Sequence, residues 1–298
     1  MSVNPSVVAV IVTYNRHQKL RRVLDAIIDQ DRPPDMIIVV DNASTDDTAS
    51  VVELAKARFK ITYVKLAKNI GGAGGFNTGI RIAFEEGYDF VWVMDDDGYP
   101  AKNALSILVD SIAEFERTTE WRPSFACSLV KWTDGSICEM NIPVPVWDWP
   151  RYYTPELPVT LVERCSFVSA LIPRWAIETH GLPIADYFIW YDDAEYTKRL
   201  SGSYPGLFCP ESVIVHDTPE NKGVNFSLVN DANVWKFEYG ARNEVSSRLR
   251  DGGLPSVIAF LLQIRLQMKE GQISFGLKRR IWLAVWKGLR FRPSIERV

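Results

Sequence analysis

What most constrains this chain is a rhythm in its first 120 residues. Short β-branched apolar runs alternate with stretches of helical spacing. Val7–Thr13 is continuously apolar up to its last residue, the pattern of a strand buried on both faces. Gln18–Asp29 follows with Leu20, Val23, Leu24, Ile27 and Ile28 on one side, and Arg32-Pro33-Pro34-Asp35 stops it. Met36–Val40 is a second strand ending on Asp41, and Ser44–Asp47 supplies capping chemistry for a helix to about Arg58. Ile61–Leu66 is a third strand. Asn69–Gly75 reads as a glycine-rich loop before a helix to about Glu86. Phe90–Met94 is a fourth strand running into Asp95-Asp96-Asp97, with a helix near Asn103–Glu116. This order implies an α/β fold with a largely parallel sheet and helices on both faces. Ligands bind beyond the carboxyl ends of such strands, where Thr13, Asp41, Asn69 and Asp95–Asp97 all fall.

The second half is less regular. Residues 132–158 hold five prolines and three tryptophans and read as a long ordered loop or hairpin excursion. A helical stretch at Asp192–Leu200 and a strand pattern at Ser212–His216 follow. Thr218–Asn230 reads as polar and mobile, and the remainder as helices broken at Gly252-Gly253 and Gly271. With 298 residues, 47% apolar and 24% charged, the chain can bury a sizeable core, which excludes wholesale disorder. A net charge of −3 gives no global field for nucleic acid. Cys127, Cys138, Cys165 and Cys209 form no CxxC pair and read as reduced thiols of a cytosolic protein. No apolar run is long enough for a spanning helix, and Met1–Pro5 lacks the layout of a signal peptide.

Three constellations carry chemistry, each with a plainer alternative. Adjacent carboxylates at Asp95–Asp97 resist burial, and on an extended strand end Asp95 and Asp97 point the same way. They suit a Mg²⁺ or Mn²⁺ site beside a phosphate-bearing substrate, or else form a solvated acidic loop. The run Asn69-Ile70-Gly71-Gly72-Ala73-Gly74-Gly75 fits neither GxGxxG nor a P-loop. It either lets backbone approach a ligand closely or is a flexible turn. Trp190-Tyr191-Asp192-Asp193 sets two carboxylates beside two aromatics, which suits a general base next to a stacking platform, or simply a capped helix. His216, after Val213-Ile214-Val215, is a structural histidine unless a metal site is nearby.

Together these motifs resemble inverting nucleotide-sugar glycosyltransferases of family 2, over roughly residues 5–250. The residues carrying the likeness are Val12–Arg16, Val39–Ser44, Asn69–Gly75, Asp95–Asp97, Asp192-Asp193 and His216. Asn69–Phe76 followed by Met94–Gly98, and Arg242-Asn243, look most like the galactofuranosyltransferase branch, with rhamnosyltransferases related to it. The resemblance implies a GT-A fold, a Rossmann-like mixed sheet flanked by helices, as a catalytic domain over 1–250, with C-terminal amphipathic basic helices over 251–298. It implies that Thr13, Tyr14, Arg16, Asp41, Asn69, Gly72 and Asp96 bind the nucleotide sugar, Asp41 facing the uracil and Asp96 lying near the ribose. Asp95, Asp97 and His216 would hold Mn²⁺ or Mg²⁺. Asp193 would be the catalytic base, with Asp192, Trp190 and Tyr191 binding the acceptor. One departure is Tyr191, which stands directly before the Asp pair where galactofuranosyl polymerases have Trp.

The implied reaction moves a sugar, best matched by galactofuranose from UDP-galactofuranose, onto a polyprenyl-diphosphate-linked glycan in bacterial surface polysaccharide synthesis. A dTDP-rhamnose donor is the alternative within the class. A nucleotidyl or phosphosugar transferase would want a basic, glycine-rich loop where the chain has Thr13-Tyr14-Asn15. A non-catalytic carbohydrate- or partner-binding module has no need for the full carboxylate set. The tail is the other asymmetry: residues 261–298 hold nine Lys/Arg and two acidic residues. Along 273–291, Leu277, Ile281, Ala284, Val285 and Gly288 fall on one arc, and Arg279, Arg280, Lys287 and Arg290 opposite. That pattern suits a helix lying on the anionic inner face of the plasma membrane, making the protein cytoplasmic and peripheral. Its alternative is a helix packed on the body or on another subunit of a homo-oligomer.

Overall fold

The computed structural model describes residues 4–298; Met1–Val3, part of the N-terminal stretch read above, lie outside it. The elements run β1 (Val7–Thr13), α1 (His17–Ile28), β2 (Met36–Asp41), α2 (Thr48–Lys56), β3 (Ile61–Lys65), α3 (Gly71–Glu85), β4 (Phe90–Asp95) and β5 (Gly98–Pro100). Then follow α4 (Ala104–Thr119), β6 (Ala126–Trp132), β7 (Val144–Pro145), β8 (Thr160–Arg164), β9 (Ala170–Pro173), α5 (Arg174–His180), α6 (Asp192–Leu200) and β10 (Gly206–His216). The chain closes with α7 (Val234–Asp251), α8 (Gly253–Glu270) and α9 (Phe275–Gly288).

The strands form one mixed sheet in the order β3-β2-β1-β4-β9-β6-β10-β8-β7, with β5 pairing β10 off this path. β3, β2, β1 and β4 are parallel; β9 runs antiparallel to β4. Alternation along β1 explains the two layers. Val7, Ala9 and Ile11 pack with Leu20, Leu24 and Leu105 on one face. Val8, Val10 and Val12 pack with Phe76, Ile80 and Tyr196 on the other. Strand order reverses between β1 and β4, so their carboxyl ends open the crevice where such sheets take ligands.

Three expectations change. The glycine run is not a loop: α3 begins at Gly71. Although glycine is a poor helix former, a Cβ at Gly75 would sit 2.5 Å from Val12 and one at Gly79 2.3 Å from Val10, so the glycines let α3 lie directly on β1. The segment read as mobile is pinned: Asn221 Nδ2 donates to Ile137 O at 2.9 Å, and Phe226 and Val229 are buried.

The third change concerns the tail. Leu277, Ile281, Ala284 and Val285 do fall on one face of α9, but that face packs on α7 and α8 in a third hydrophobic cluster beginning at Phe226. Gly288 lies on the same face, where a Cβ would meet Arg242 O at 2.6 Å. The apolar arc is therefore core rather than membrane face. A boundary after residue 250 also falls inside this bundle, because α7 shares the cluster. No helix among the described residues is long and apolar enough to cross a membrane. All four cysteines are free and buried.

Candidate active site

Register brings the polar strand ends together. Thr13 pairs with Asp41, and Val12 with Asp95, so the ends of β2, β1 and β4 lie side by side. After Asp95 the chain turns sharply into β5, whose Gly98 pairs with His216 at the end of β10. That turn, rather than simple strand alternation, swings Asp97 onto the histidine: His216 Nε2 lies 3.1 Å from Asp97 Oδ1. One donor atom each from Asp95, Asp97 and His216 falls within 4.8 Å of the others. Two carboxylates and an imidazole make a hard oxygen-rich donor set that suits Mn²⁺ or Mg²⁺. Asp96 points away, accepting from Thr13 Oγ1 at 2.8 Å.

Charge in this cluster is tightly balanced. Burial, followed by the charge of Asp97, pushes Asp95 up to about 7. Burial opposes ionisation of Asp97 too, but the hydrogen bond and charge of His216, with Arg16 and Lys19, hold it below the usual carboxylate range. His216 is pushed up to about 10: burial opposes its charge, and the bond to Asp97 outweighs that. Arg16, expected on the nucleotide sugar, lies instead 3.1 Å from Asp96 and 2.8 Å from Asp97. Lys19 adds a weaker pair to Asp97 at 3.5 Å.

Asn141 completes the histidine. Its Oδ1 accepts from His216 Nδ1 at 2.8 Å, which leaves Nε2 aimed at the carboxylates. Asn141→Ala is expected to weaken Mn²⁺ binding about 10–100-fold, as losses of such supporting partners do. Titration calorimetry checks it; unchanged affinity would contradict a metal role for His216.

The residues expected to bind the nucleotide lie around the strand carboxyl ends. Asn69 Oδ1 accepts from Gly71 N at 2.8 Å, fixing the start of α3, and no atom lies within 4 Å of a Cβ built on Gly72. Tyr14 is exposed beside the crevice. Asp41, however, is wholly buried, with Oδ1 taken by Ser44 N at 2.8 Å and Oδ2 by Tyr63 OH at 2.6 Å. A base reaching Asp41 would meet a buried carboxylate that already accepts from Ser44 and Tyr63.

Trp190 and Tyr191 lead directly into Asp192 and Asp193 at the start of α6. The segment is conformationally costly: Phe188, Trp190 and Tyr191 have φ of 66°, 65° and 70°. Each non-glycine residue held in such a region costs about 1–3 kcal/mol, so surrounding structure must enforce it. Trp190 turns away from the crevice into the helical bundle, packing edge-on against Phe237 with centroids 4.8 Å apart. It is therefore not free as the stacking face expected of it. Asp193 opens α6 and accepts from Ala194 N at 2.7 Å. Burial raises Asp193, against backbone N–H donors from Ala194 and Phe167. Burial, then the neighbouring charge of Asp193, raises Asp192 well above the carboxylate range. The charge of Asp193 also acts on Asp95, and that of Asp95 on Asp192, so base and metal candidates lie near enough to influence one another.

Lys19, Asn141 and the loop-holding Asn243 are absent from the sequence expectation as site residues. Each meets its partner across a long stretch of chain, 75 residues between Asn141 and His216, and periodicity carries no signal for that.

A mixed α/β sheet opened at its strand-order reversal, with an acidic cluster and a histidine at that opening, is a GT-A fold. Residues 8–154 match the model for glycosyl transferase family 2. The chain is 40% identical over 124 residues to galactofuranosyltransferase GlfT1 of Mycolicibacterium smegmatis, covering 41% of this chain and 40% of that protein. It thus spans about two fifths of that relative's length. The crystal structure of S. aureus TarS 1–349 with UDP-GlcNAc superposes with a TM-score of 0.62 at 15% identity, over 96% of this chain and 81% of that one. The mannosyltransferase PcManGT from Pyrobaculum calidifontis, in complex with GDP-Man and Mn²⁺, gives 0.54 at 20% identity, over 97% and 88%. The chain carries a family 2 glycosyltransferase domain.

Proposed function

We propose that the chain is an inverting, divalent-metal-dependent hexosyltransferase that moves galactofuranose from UDP-galactofuranose onto a lipid-linked saccharide of a bacterial surface polysaccharide. The observation that carries the reading is the Asp95–Asp97–His216 donor cluster at the strand carboxyl ends, with Asp192–Asp193 near enough for their charges to act on one another. Likeness to GlfT1 supports the donor. Asp193 takes the proton from an acceptor hydroxyl as that oxygen attacks the anomeric carbon. The bond to the diphosphate breaks on the opposite face, and its electron pair leaves with the nucleotide. A divalent ion on Asp95, Asp97 and His216 would supply Lewis-acid stabilisation of that leaving charge. Burial and the neighbouring charge of Asp193 favour the neutral form of Asp192, beside the proposed base. Thr13 holds Asp96 at the ribose end, and Arg16 and Lys19 keep the acidic turn compact.

Assays of binding and transfer with Mn²⁺ across UDP-galactofuranose, UDP-galactopyranose, UDP-glucose, UDP-N-acetylglucosamine and dTDP-rhamnose test this reading. Saturable use of UDP-galactofuranose is expected. Use of dTDP-rhamnose alone would replace the donor, and failure to bind any nucleotide would contradict the function.

A lipid-linked acceptor would put the protein at the inner membrane face, and the tail supports this with a different surface from the one its periodicity suggests. Leu254, Ile258, Leu262 and Leu266, spaced four apart on α8, are 55–63% exposed. Ile258 and Leu262 of this row, with Trp282, border a groove whose lining also includes Arg265, Lys269 and Lys278. Basic residues near anionic lipid contribute about 1 kcal/mol each, so Lys269→Gln with Lys278→Gln should weaken vesicle binding about thirtyfold. Sedimentation with phosphatidylglycerol vesicles measures it; equal binding to neutral vesicles would contradict the electrostatic part.

A further inference from the structure

The loop between residues 185 and 191 aims the Asp192–Asp193 pair, and its backbone is gripped from the helical extension. Asn243, in the middle of α7, is wholly buried. Its Nδ2 donates to Tyr187 O and Trp190 O at 2.9 Å each, with Ile189 O at 3.2 Å. Three carbonyls of the loop, those of Tyr187, Ile189 and Trp190, thus converge on one amide. The amide cannot flip, because Oδ1 accepts from Arg242 Nε at 2.9 Å and Nη2 at 2.7 Å. Arg242 Nη2 also donates to Asp186 O at 2.8 Å. From the other side, Ala73 N at the start of α3 donates to Phe188 O at 3.2 Å. A side chain at Gly71 could not fit there, since its Cβ would lie 2.0 Å from Phe188 O.

We infer that Asn243 is a positioning residue for the reaction. It enforces the left-handed backbone at Trp190 and Tyr191 and thereby fixes where the Asp193 carboxylate meets the acceptor. The helical extension is on this account part of the catalytic apparatus as well as a lipid-facing surface. Geometry explains why one side chain suffices. Positive φ at Phe188, Trp190 and Tyr191 turns the carbonyls of Tyr187, Ile189 and Trp190 inward. Buried carbonyls need donors, and among the described residues the only side-chain nitrogens meeting them are those of Asn243 and Arg242. Without the amide, the loop regains ordinary backbone angles and the pair that follows moves with it.

The inference rests on the proposed reaction for its catalytic consequence but not for its structural one, so two readouts are needed on the full-length chain. Amide hydrogen exchange comes first: in Asn243→Ala, amides of residues 187–193 should exchange faster than in wild type while those of β1 and β4 do not. Steady-state transfer comes second: kcat should fall about 100-fold, the scale of a misplacement near 1 Å, with a raised acceptor KM and unchanged UDP affinity. Asn243→Asp keeps the shape but turns an acceptor oxygen toward the carbonyls, so it should be as impaired. Should both fail to fold, Arg242→Met frees the amide to turn and should give the same pattern at smaller amplitude. A folded variant with a fast-exchanging loop and full kcat would overturn the positioning role, as would UDP affinity falling in step with kcat. Unchanged exchange would overturn the clamp itself. A wild-type chain that transfers no sugar overturns the reaction, and exchange still decides the clamp.

Discussion

Asp193→Asn is expected to lower kcat by about 10²–10⁴, the usual worth of a positioned general base. Amide and carboxylate are nearly isosteric, so loss of the proton acceptor should leave the cleft intact. Asp95, Asp97 and His216 all lie outside the substitution, so UDP affinity should stay within about twofold. The pH profile gives a second check. Burial raises Asp193 above the usual carboxylate range, and a base works only when deprotonated. Wild-type kcat/KM should therefore rise with pH through an acid limb displaced upward from an ordinary aspartate. Because Asp192 titrates beside it, that limb belongs to the pair. A residual rate in Asp193→Asn that keeps the same limb would assign the base elsewhere.

Loss of the metal, by chelation or by Asp97→Ala, is expected to remove transfer by a factor on the order of 10³, from several kcal/mol of leaving-group stabilisation. Asp97 is the hinge of the acidic turn. It faces His216 at 3.1 Å, Arg16 at 2.8 Å and Lys19 at 3.5 Å. Its removal leaves three basic groups beside an unfilled site, so donor binding should fall together with turnover, unlike in Asp193→Asn. Metal affinity should also depend on pH. Asp95 is pushed up to about 7, and His216 to about 10, when no cation is bound. Each must lose its proton before it can ligate, so Mn²⁺ affinity should rise from pH 6 to 8 and most steeply below 7. Flat affinity over that range, or undiminished transfer in chelator, would remove these residues from the metal role.

Much of this was legible in the chain. Four apolar runs ending on Thr13, Asp41, the segment after Leu66, and Asp95 locate the crevice because strand carboxyl ends must converge at a strand-order reversal. Alternation foretold the convergence of Asp95 and Asp97, though the turn into β5 brings it about. The glycine run misled because local propensity argues against helix, while contact of α3 with Val10 and Val12 demands small residues. In the tail, periodicity found the apolar arc of α9 but not its occupant, since α7 covers it. Trp190 is the same lesson in the site: an aromatic beside two carboxylates reads as a platform, yet Phe237 holds it in the bundle. Asn243 stood out only as part of the Arg242-Asn243 likeness, and its contacts, like those of Asn141, were beyond reach because their partners are fixed only by the completed fold.

The most direct test of the account is the anomeric configuration of the product, read by NMR from a single turnover with the donor that the wild-type chain uses. One displacement with Asp193 as base predicts a glycoside of configuration opposite to the donor's. Retained configuration would require a covalent glycosyl intermediate or attack from the leaving-group face, and would contradict the assignment of Asp193 and of the reaction.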